Sequence, residues 1–316
     1  MNIKLIKNHT LILLITGVLT LVSTLPLGLL SVLVTSLLIA FIGYITTKYH
    51  YTFLSFVVLF VFIISALFSG SFMFALITML PIILCGIFLG VAYNLKLSLF
   101  KTLCIFVLIY ILYFLVNIRF SGMADFEETV SLLTATYKDA FLSMYGNKIS
   151  ESDINAIISE AMTLLLKFMP SFIVIVCTLF ALLCYYFFKC ILKITKSDFS
   201  LYENFSMWHA DKAFSVTFLI LLLFGFFMPE KDYLGDAFLN VIAISSFVFY
   251  ILGLSYICFA LKKRMKSKVS FKIVIALLIL SSLLTFGLPF FALCTIGALD
   301  GIFNYRQKAK KTSLPK

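Results

Sequence analysis

Charge is the scarcest commodity in this sequence. Only 12% of the 316 residues are Asp, Glu, Lys or Arg, against about 25% in an ordinary soluble domain. The three histidines, His9, His50 and His209, are far apart and fall near the ends of apolar runs, so their spacing supports no metal cluster. Seven cysteines are present, none in a C-x-x-C pair and nearly all inside apolar stretches. They read as small, soft packing residues rather than a disulfide or metal framework. There is no H-E-x-x-H of an intramembrane metalloprotease and no G-x-x-x-x-G-K-[ST] of a nucleotide-binding loop. The pair Glu127 and Glu128 has Leu132 where a glutamate-pair membrane protease would place arginine. "GALDG" lacks the second glycine of the aspartyl intramembrane proteases, and no second aspartate lies within an apolar run to share a proton with Asp300. A proton-coupled carrier places acids or histidines deep in its spans, and none lies there. These absences point away from an enzyme, a metal or a cofactor.

What the chain has in quantity is oil. Hydrophobic residues make up 62% of it, including 36 Phe and 15 Tyr, and the mean hydropathy is +1.12. No soluble fold hides that much apolar surface, so the solvent for most of the chain is a lipid bilayer. The expected fold is an all-α polytopic bundle. Walking along the chain with a ruler of about 20 residues per crossing places spans near 9–24, 27–46, 52–69, 72–93, 98–117, 168–190, 213–228, 237–261, 272–287 and 288–305. The first and last pairs are short for two crossings each, so eight to ten crossings are expected. Lys4 and Lys7 before the run from Leu11 to Val22 have the shape of a signal peptide, but no A-x-A cleavage pattern follows, and the run reads as the first membrane helix. The net charge of +11 reflects basic loops between spans rather than a nucleic-acid surface.

Those loops set the orientation. With the N-terminus in the cytoplasm, 20 of the 25 basic residues fall in inner loops, and the positive-inside rule then places both termini inside. Arg119, Lys138, Lys148, Lys167 and Lys231 stay outside, with most of the acids. The chain is expected to form a single membrane domain, 1–316, with a hairpin over 118–166 inserted on the outer side. In that insert Phe126, Val130, Leu133, Tyr137, Phe141 and Met144 recur at helical spacing. "YGNK" breaks the run, with Gly146 suited to a cap, and "SESD" opens a second helix bearing Ile154, Ile157, Ile158, Ala161 and Leu165 on one face. The return to the membrane is expected at Pro170. The acidic balance favours packing on the protein over lying on lipid.

Few residues stand out for chemistry. Asp300 lies in an apolar run six residues before Arg306, roughly 9 Å along a helix, which sets it near the inner membrane edge. An ion pair or hydrogen bond with Arg306, Lys96 or an inner-loop backbone group is the expected role, with ligand binding or proton handling as the other reading. Gly297 and Gly301 flank it, and Gly86 and Gly90 form a second G-x-x-x-G; both pairs suit close helix packing. Asn94, Asn240 and Tyr250 are polar groups in spans that need partners in lipid, and with Asp300 they make the candidate ligand-binding set. Pro81 and Pro289 are expected to kink their spans. Trp208 reads as an interface anchor.

Four stretches carry a likeness: "LPLGLLSVL", "MPSFIVIVCTLFALLCYYFFKCIL", "LYENFSMWHADKAFSV" and the ending "IGALDGIFNYRQK". They resemble the YybS-like (DUF2232) integral membrane proteins of bacteria, with Gly297, Asp300 and Arg306 in the characteristic close. That family is regarded as distantly similar to the membrane substrate-binding (S) subunits of energy-coupling-factor transporters. The resemblance implies a multi-pass protein of the bacterial cytoplasmic membrane. It also implies a transport-related subunit that binds a small molecule or lipid in the bundle, served by a separate ATPase module or another membrane protein. The other reading is a non-catalytic scaffold that docks proteins through its glycine faces and the basic loop 262–272.

Overall fold

The computed structural model describes residues 9–25, 27–121, 123–145, 150–195, 197, 205–225, 227, 233–264, 268–285 and 287–306. Among them are eleven α-helices and one short 3-10 turn, Phe205–Met207, with no strand. The helices are α1 (His9–Thr24), α2 (Leu29–Lys48), α3 (Tyr51–Ser69), α4 (Phe72–Asn94), α5 (Leu99–Ser121) and α6 (Met123–Tyr145), then α7 (Glu151–Ile194), α8 (Lys212–Gly225), α9 (Tyr233–Arg264), α10 (Lys268–Thr285) and α11 (Leu288–Phe303). A membrane core offers the backbone no other partner, so long apolar runs close their own hydrogen bonds as helices. Each of the ten expected spans falls on one of them. Helices α2, α3, α4, α5, α7 and α9 are long and apolar enough to cross a membrane, while α1, α8 and α11 are shorter apolar helices. The 16 residues of α11 reach ~24 Å, less than the ~30 Å hydrocarbon core.

The punctuation is local. Ser71 accepts a hydrogen bond from the Phe74 N–H at 3.3 Å and starts α4. Ser150 does the same for Asp153 at 3.3 Å, while its hydroxyl donates to the Asp153 carboxylate at 2.6 Å. "SESD" therefore opens a helix as its capping pattern predicts. Gly70, at φ +65°, closes α3 in the left-handed conformation that favours glycine.

Three expectations need correction. The outer insert and the span after Pro170 are not separate elements: α7 runs 44 residues without interruption through Pro170, joining the second helix of the insert to the following span. Pro289 does not kink α11, because it occupies the first turn, where its missing N–H would have no intrahelical partner anyway. The buried stripe on the N-terminal part of α7 is Ile154, Ile158 and Met162, whereas Ile157 and Leu165 are about half exposed, at 47% and 52%. The stripe follows a strict i, i+4 row rather than the wider face drawn from the sequence. The break at 146–149, with Gly146, lies outside the described residues, as do the side chains of Phe126 and Leu133.

By their internal contacts the helices fall into two compact units, where the sequence reading treats the chain as one domain. The first is Met1–Asn155 with Val176–Tyr202, and the second is Ala156–Ile175 with Glu203–Lys316. In the first unit α2 is the central helix. Leu38, Ile39, Ala40, Ile42 and Ile45 are fully buried and so point in every direction around it, as expected of a helix apolar on all sides. It packs on α4, α1 and α3. Phe106 of α5 and Phe188 of α7 complete the core. In the second unit α9 and α11 form the main pair, flanked by α8 and α10. Their core is Phe218, Phe249, Tyr250, Leu254, Leu293, Cys294 and Ala298, with Ala210. Lipid tails are as apolar as leucine, so what joins such helices is close packing rather than expulsion of water. Glycine supplies it in both units.

Candidate functional site

The second unit is built around a backbone-to-backbone crossing. A Cβ on Gly297 would collide with the Phe249 carbonyl, and one on Gly253 with the Leu293 carbonyl. The α9 and α11 backbones therefore touch. A Cβ on Gly301 would collide with the Ser215 hydroxyl of α8, so Gly297 and Gly301 each admit a different neighbour. In the first unit the same device joins α2 and α4. A Cβ on Gly86 would stand 2.7 Å from the Ile42 Cβ, and one on Gly90 would stand 2.5 Å from the Thr46 Cβ and 2.6 Å from the Gly43 carbonyl.

The α9–α11 crossing sets Asp300 at the end of α11. Asn304 then adopts a left-handed φ of 51° and its N–H bonds the Asp300 carbonyl at 2.8 Å. This turn folds Arg306 back along the helix. Arg306 Nε lies 2.8 Å from Asp300 Oδ2, with the two side chains only 5% and 3% exposed. Its Nη1 donates to the Ser206 carbonyl at 2.8 Å and to Ser255 Oγ at 2.9 Å, and Nη2 reaches the Leu252 carbonyl at 3.4 Å. Ser255 Oγ lies within bonding distance of the Phe205 carbonyl and 2.9 Å from that of Trp208. The rings of Tyr256 and Phe259 cover the guanidinium at 5.6 and 5.9 Å. The planar fork of arginine is thus shared among a carboxylate, a hydroxyl and two carbonyls, which an ammonium could not span. The site ties the segment around Phe205–Met207 to the ends of α9 and α11. Trp208 takes part through its carbonyl, and its ring meets Phe205 edge-on at 5.1 Å. The second carboxylate oxygen, Asp300 Oδ1, is buried with no hydrogen-bond partner among the described residues. Lys96, the other expected partner, is exposed just past α4 in the first unit.

Asn240 has a different task. Its Oδ1 accepts from the Ser171 N–H at 2.9 Å and its Nδ2 donates to the Lys167 carbonyl at 2.8 Å. Those two backbone groups are the donor and acceptor of one helical turn of α7. Pro170 lies within that turn. It offers no N–H to the Leu166 carbonyl, and a proline ring inside a helix crowds the carbonyl four residues before it. An amide side chain entering the ladder at a proline is a recognised cause of helix bending. The Lys167–Asp236 ion pair, at 3.2 Å, reinforces the contact. Tyr250 is buried, its ring stacked on Phe290 at 5.1 Å, and its hydroxyl has no partner among the described residues. Asn94 is the exposed last residue of α4. Thus Asp300, Asn240 and Tyr250 serve three separate contacts in the second unit, and Asn94 belongs to the first.

A half-open cleft lies in the first unit instead, with a volume of about 260 Å³. Its walls come from one end of the bundle: Ser23 and Thr24 at the end of α1, Ser31, Val32 and Thr35 at the start of α2, and Phe74, Thr78, Met79, Pro81 and Ile82 of α4. Tyr110 and Tyr113 of α5 and Phe180 of α7 close it. Seven of these thirteen residues carry a hydroxyl and none carries a charge. Sequence reasoning passed over them because isolated Ser and Thr in spans usually bond their own helix. The signal was available once the spans were folded as hairpins: the hydroxyls of α1, α2 and α4 then gather at one end. Gly43 and Gly253 were missed as well, although a lone helix-interior glycine costs about 1 kcal/mol and calls for a packing reason. Among the described residues no group of His, Cys, Asp and Glu could hold a metal ion.

The family model described as "Predicted membrane protein (DUF2232)" matches residues 10–296. The match ends before Gly297, Asp300 and Arg306, so the likeness read in the chain's ending lies beyond it. Among curated proteins, the "Uncharacterized protein YybS" of Bacillus subtilis (strain 168) is 26% identical over 216 residues, covering 65% of this chain and 66% of that protein. The alignment thus spans just under two thirds of that relative's length. No solved structure matches the chain.

Proposed function

The chain belongs to the DUF2232 family of predicted membrane proteins, and on that premise we propose that it is a non-catalytic, transport-related subunit that binds a small molecule or lipid within its helix bundle. It works in the bacterial cytoplasmic membrane. The observation that carries this reading is the cleft of the first unit. It combines aromatic walls with a cluster of hydroxyls, the mixture of apolar surface and a few polar groups that marks small-molecule sites. Its residues come from five helices, so a ligand there would sense the packing of the whole unit. The scaffold reading is less well supported on its glycine faces, which are already filled, Gly86 and Gly90 by α2, Gly297 by α9 and Gly301 by α8; the side chains of its basic loop beyond residue 262 lie outside the described residues. On the proposed reading, an ATPase module or another membrane protein supplies any energy, since the chain has no nucleotide loop of its own.

Native mass spectrometry of the protein extracted gently from its own membrane tests this. A discrete small mass or a single lipid species, lost when Tyr110 and Tyr113 are both replaced by alanine, is the expected result. A bound protein with no small ligand would replace this reading with the scaffold. A co-purifying ATPase would identify the energy-coupled form.

A further inference from the structure

We infer that the cleft of the first unit selects an uncharged, ring-containing ligand that presents O–H or N–H donors; this rests on the binding reading above and adds the ligand class. The argument starts from protons. Ser23 donates to the Thr20 carbonyl at 2.8 Å, Thr24 to Leu21 at 2.8 Å, Ser31 to Gly28 at 3.0 Å and Thr78 to Phe74 at 2.8 Å. Each of these four hydroxyls has one hydrogen and spends it on a carbonyl of its own helix or helix end, so these four offer a guest only oxygen lone pairs. Four acceptors contributed by α1, α2 and α4 favour a guest that brings donors. Charge is excluded by a separate observation. No Lys, Arg, His, Asp or Glu lines the cleft, and an ion entering a site without a counter-charge loses hydration with little return.

The walls add shape. Tyr110 meets Phe180 edge-to-face at 5.0 Å and Tyr113 at 6.2 Å. A flat ring can lie against such faces in offset or edge contact. The volume of about 260 Å³ sits just below the usual range for drug-sized ligands, about 300–1,000 Å³. That suits one ring system with a short substituent.

The test uses three indoles of nearly equal shape: tryptophol, which is neutral, indole-3-acetate, an anion, and tryptamine, a cation. Each is titrated by saturation-transfer NMR against the full chain in nanodiscs, with empty nanodiscs subtracted. Thr24→Val and Thr78→Val remove an acceptor with little change of shape, and Thr217→Val, on α8 of the other unit, serves as control. Tryptophol is expected to saturate and to bind at least about tenfold more tightly than either ion. Each cleft variant is expected to weaken it by about three- to tenfold, the usual worth of one hydrogen bond, and Thr217→Val to leave it unchanged. If an ion binds as tightly as tryptophol and responds to the same variants, the cleft is a site but the neutral class is wrong. If no indole saturates, or saturation ignores both cleft variants, the binding reading of this cleft fails as well.

Discussion

At the scale of the residue, Asp300 and Arg306 act as one object. Each is almost sealed from outside, and a buried pair of this kind stabilises little compared with an apolar replacement of both partners, yet loses about 3–5 kcal/mol when one partner alone is removed. Asp300→Asn keeps the shape and strands the guanidinium. It is expected to lower the melting temperature in detergent by several degrees, read by thermal shift. Arg306→Lys is expected to do the same although charge is kept, because one ammonium cannot serve Asp300, Ser255 and the Ser206 carbonyl together. A melting temperature unchanged by both substitutions would show that the tie carries no weight. The spacing of six residues made this pair legible in the sequence. The rest of the tie was not, since Ser255 and the Ser206 carbonyl reach Arg306 across 51 and 100 residues of chain, and the Phe205 and Trp208 carbonyls reach Ser255 across 50 and 47, and no local pattern encodes that.

At the scale of the element, helices meet where side chains are missing. Gly90→Ala would place a methyl group 2.5 Å from the Thr46 Cβ and 2.6 Å from the Gly43 carbonyl. Overpacking of this sort costs about 1–3 kcal/mol, and a fall in thermal stability without loss of helical circular dichroism is the expected signature. The α7–α9 contact makes a sharper test. Asn240→Leu removes the amide that serves Ser171 and Lys167 and should destabilise the protein. In a Pro170→Ala background the turn can straighten and bond itself, so the same substitution should cost clearly less. Equal costs in both backgrounds, measured as a double-mutant cycle, would refute the link between proline and amide. Helix positions were legible because sustained apolar runs are a strong signal. That Pro170 would pass through a helix while Pro289 would merely begin one was not, because the same residue tolerates both settings and neighbouring elements decide which holds.

At the scale of the whole molecule, orientation is the property most open to direct test. The lysine and arginine count places the start of α7 outside and the end of α2 inside. Ser152→Cys and Lys48→Cys, both at exposed positions, are introduced singly into a chain whose native cysteines are serines. A membrane-impermeant maleimide applied to intact cells is expected to modify the first, and to reach the second only after permeabilisation. The reverse pattern would invert the topology and move the cleft to the cytoplasmic face. The overall class follows from composition alone, since there is nowhere but a bilayer to put so much apolar surface. The division into two units does not, because it depends on which helices touch, and α7 lends one part of its length to each.

That shared helix bears on how the protein is made. Ser171 precedes its partner Asn240 by 69 residues, so α7 leaves the ribosome well before the amide that completes its turn exists. During that interval the Ser171 N–H and the Lys167 carbonyl, at the outer end of the span, are without their side-chain partner. Synthesis order thus makes α7 a provisional span until α9 arrives to seal it, and a nascent chain halted before α9 would expose that weak point to membrane quality control.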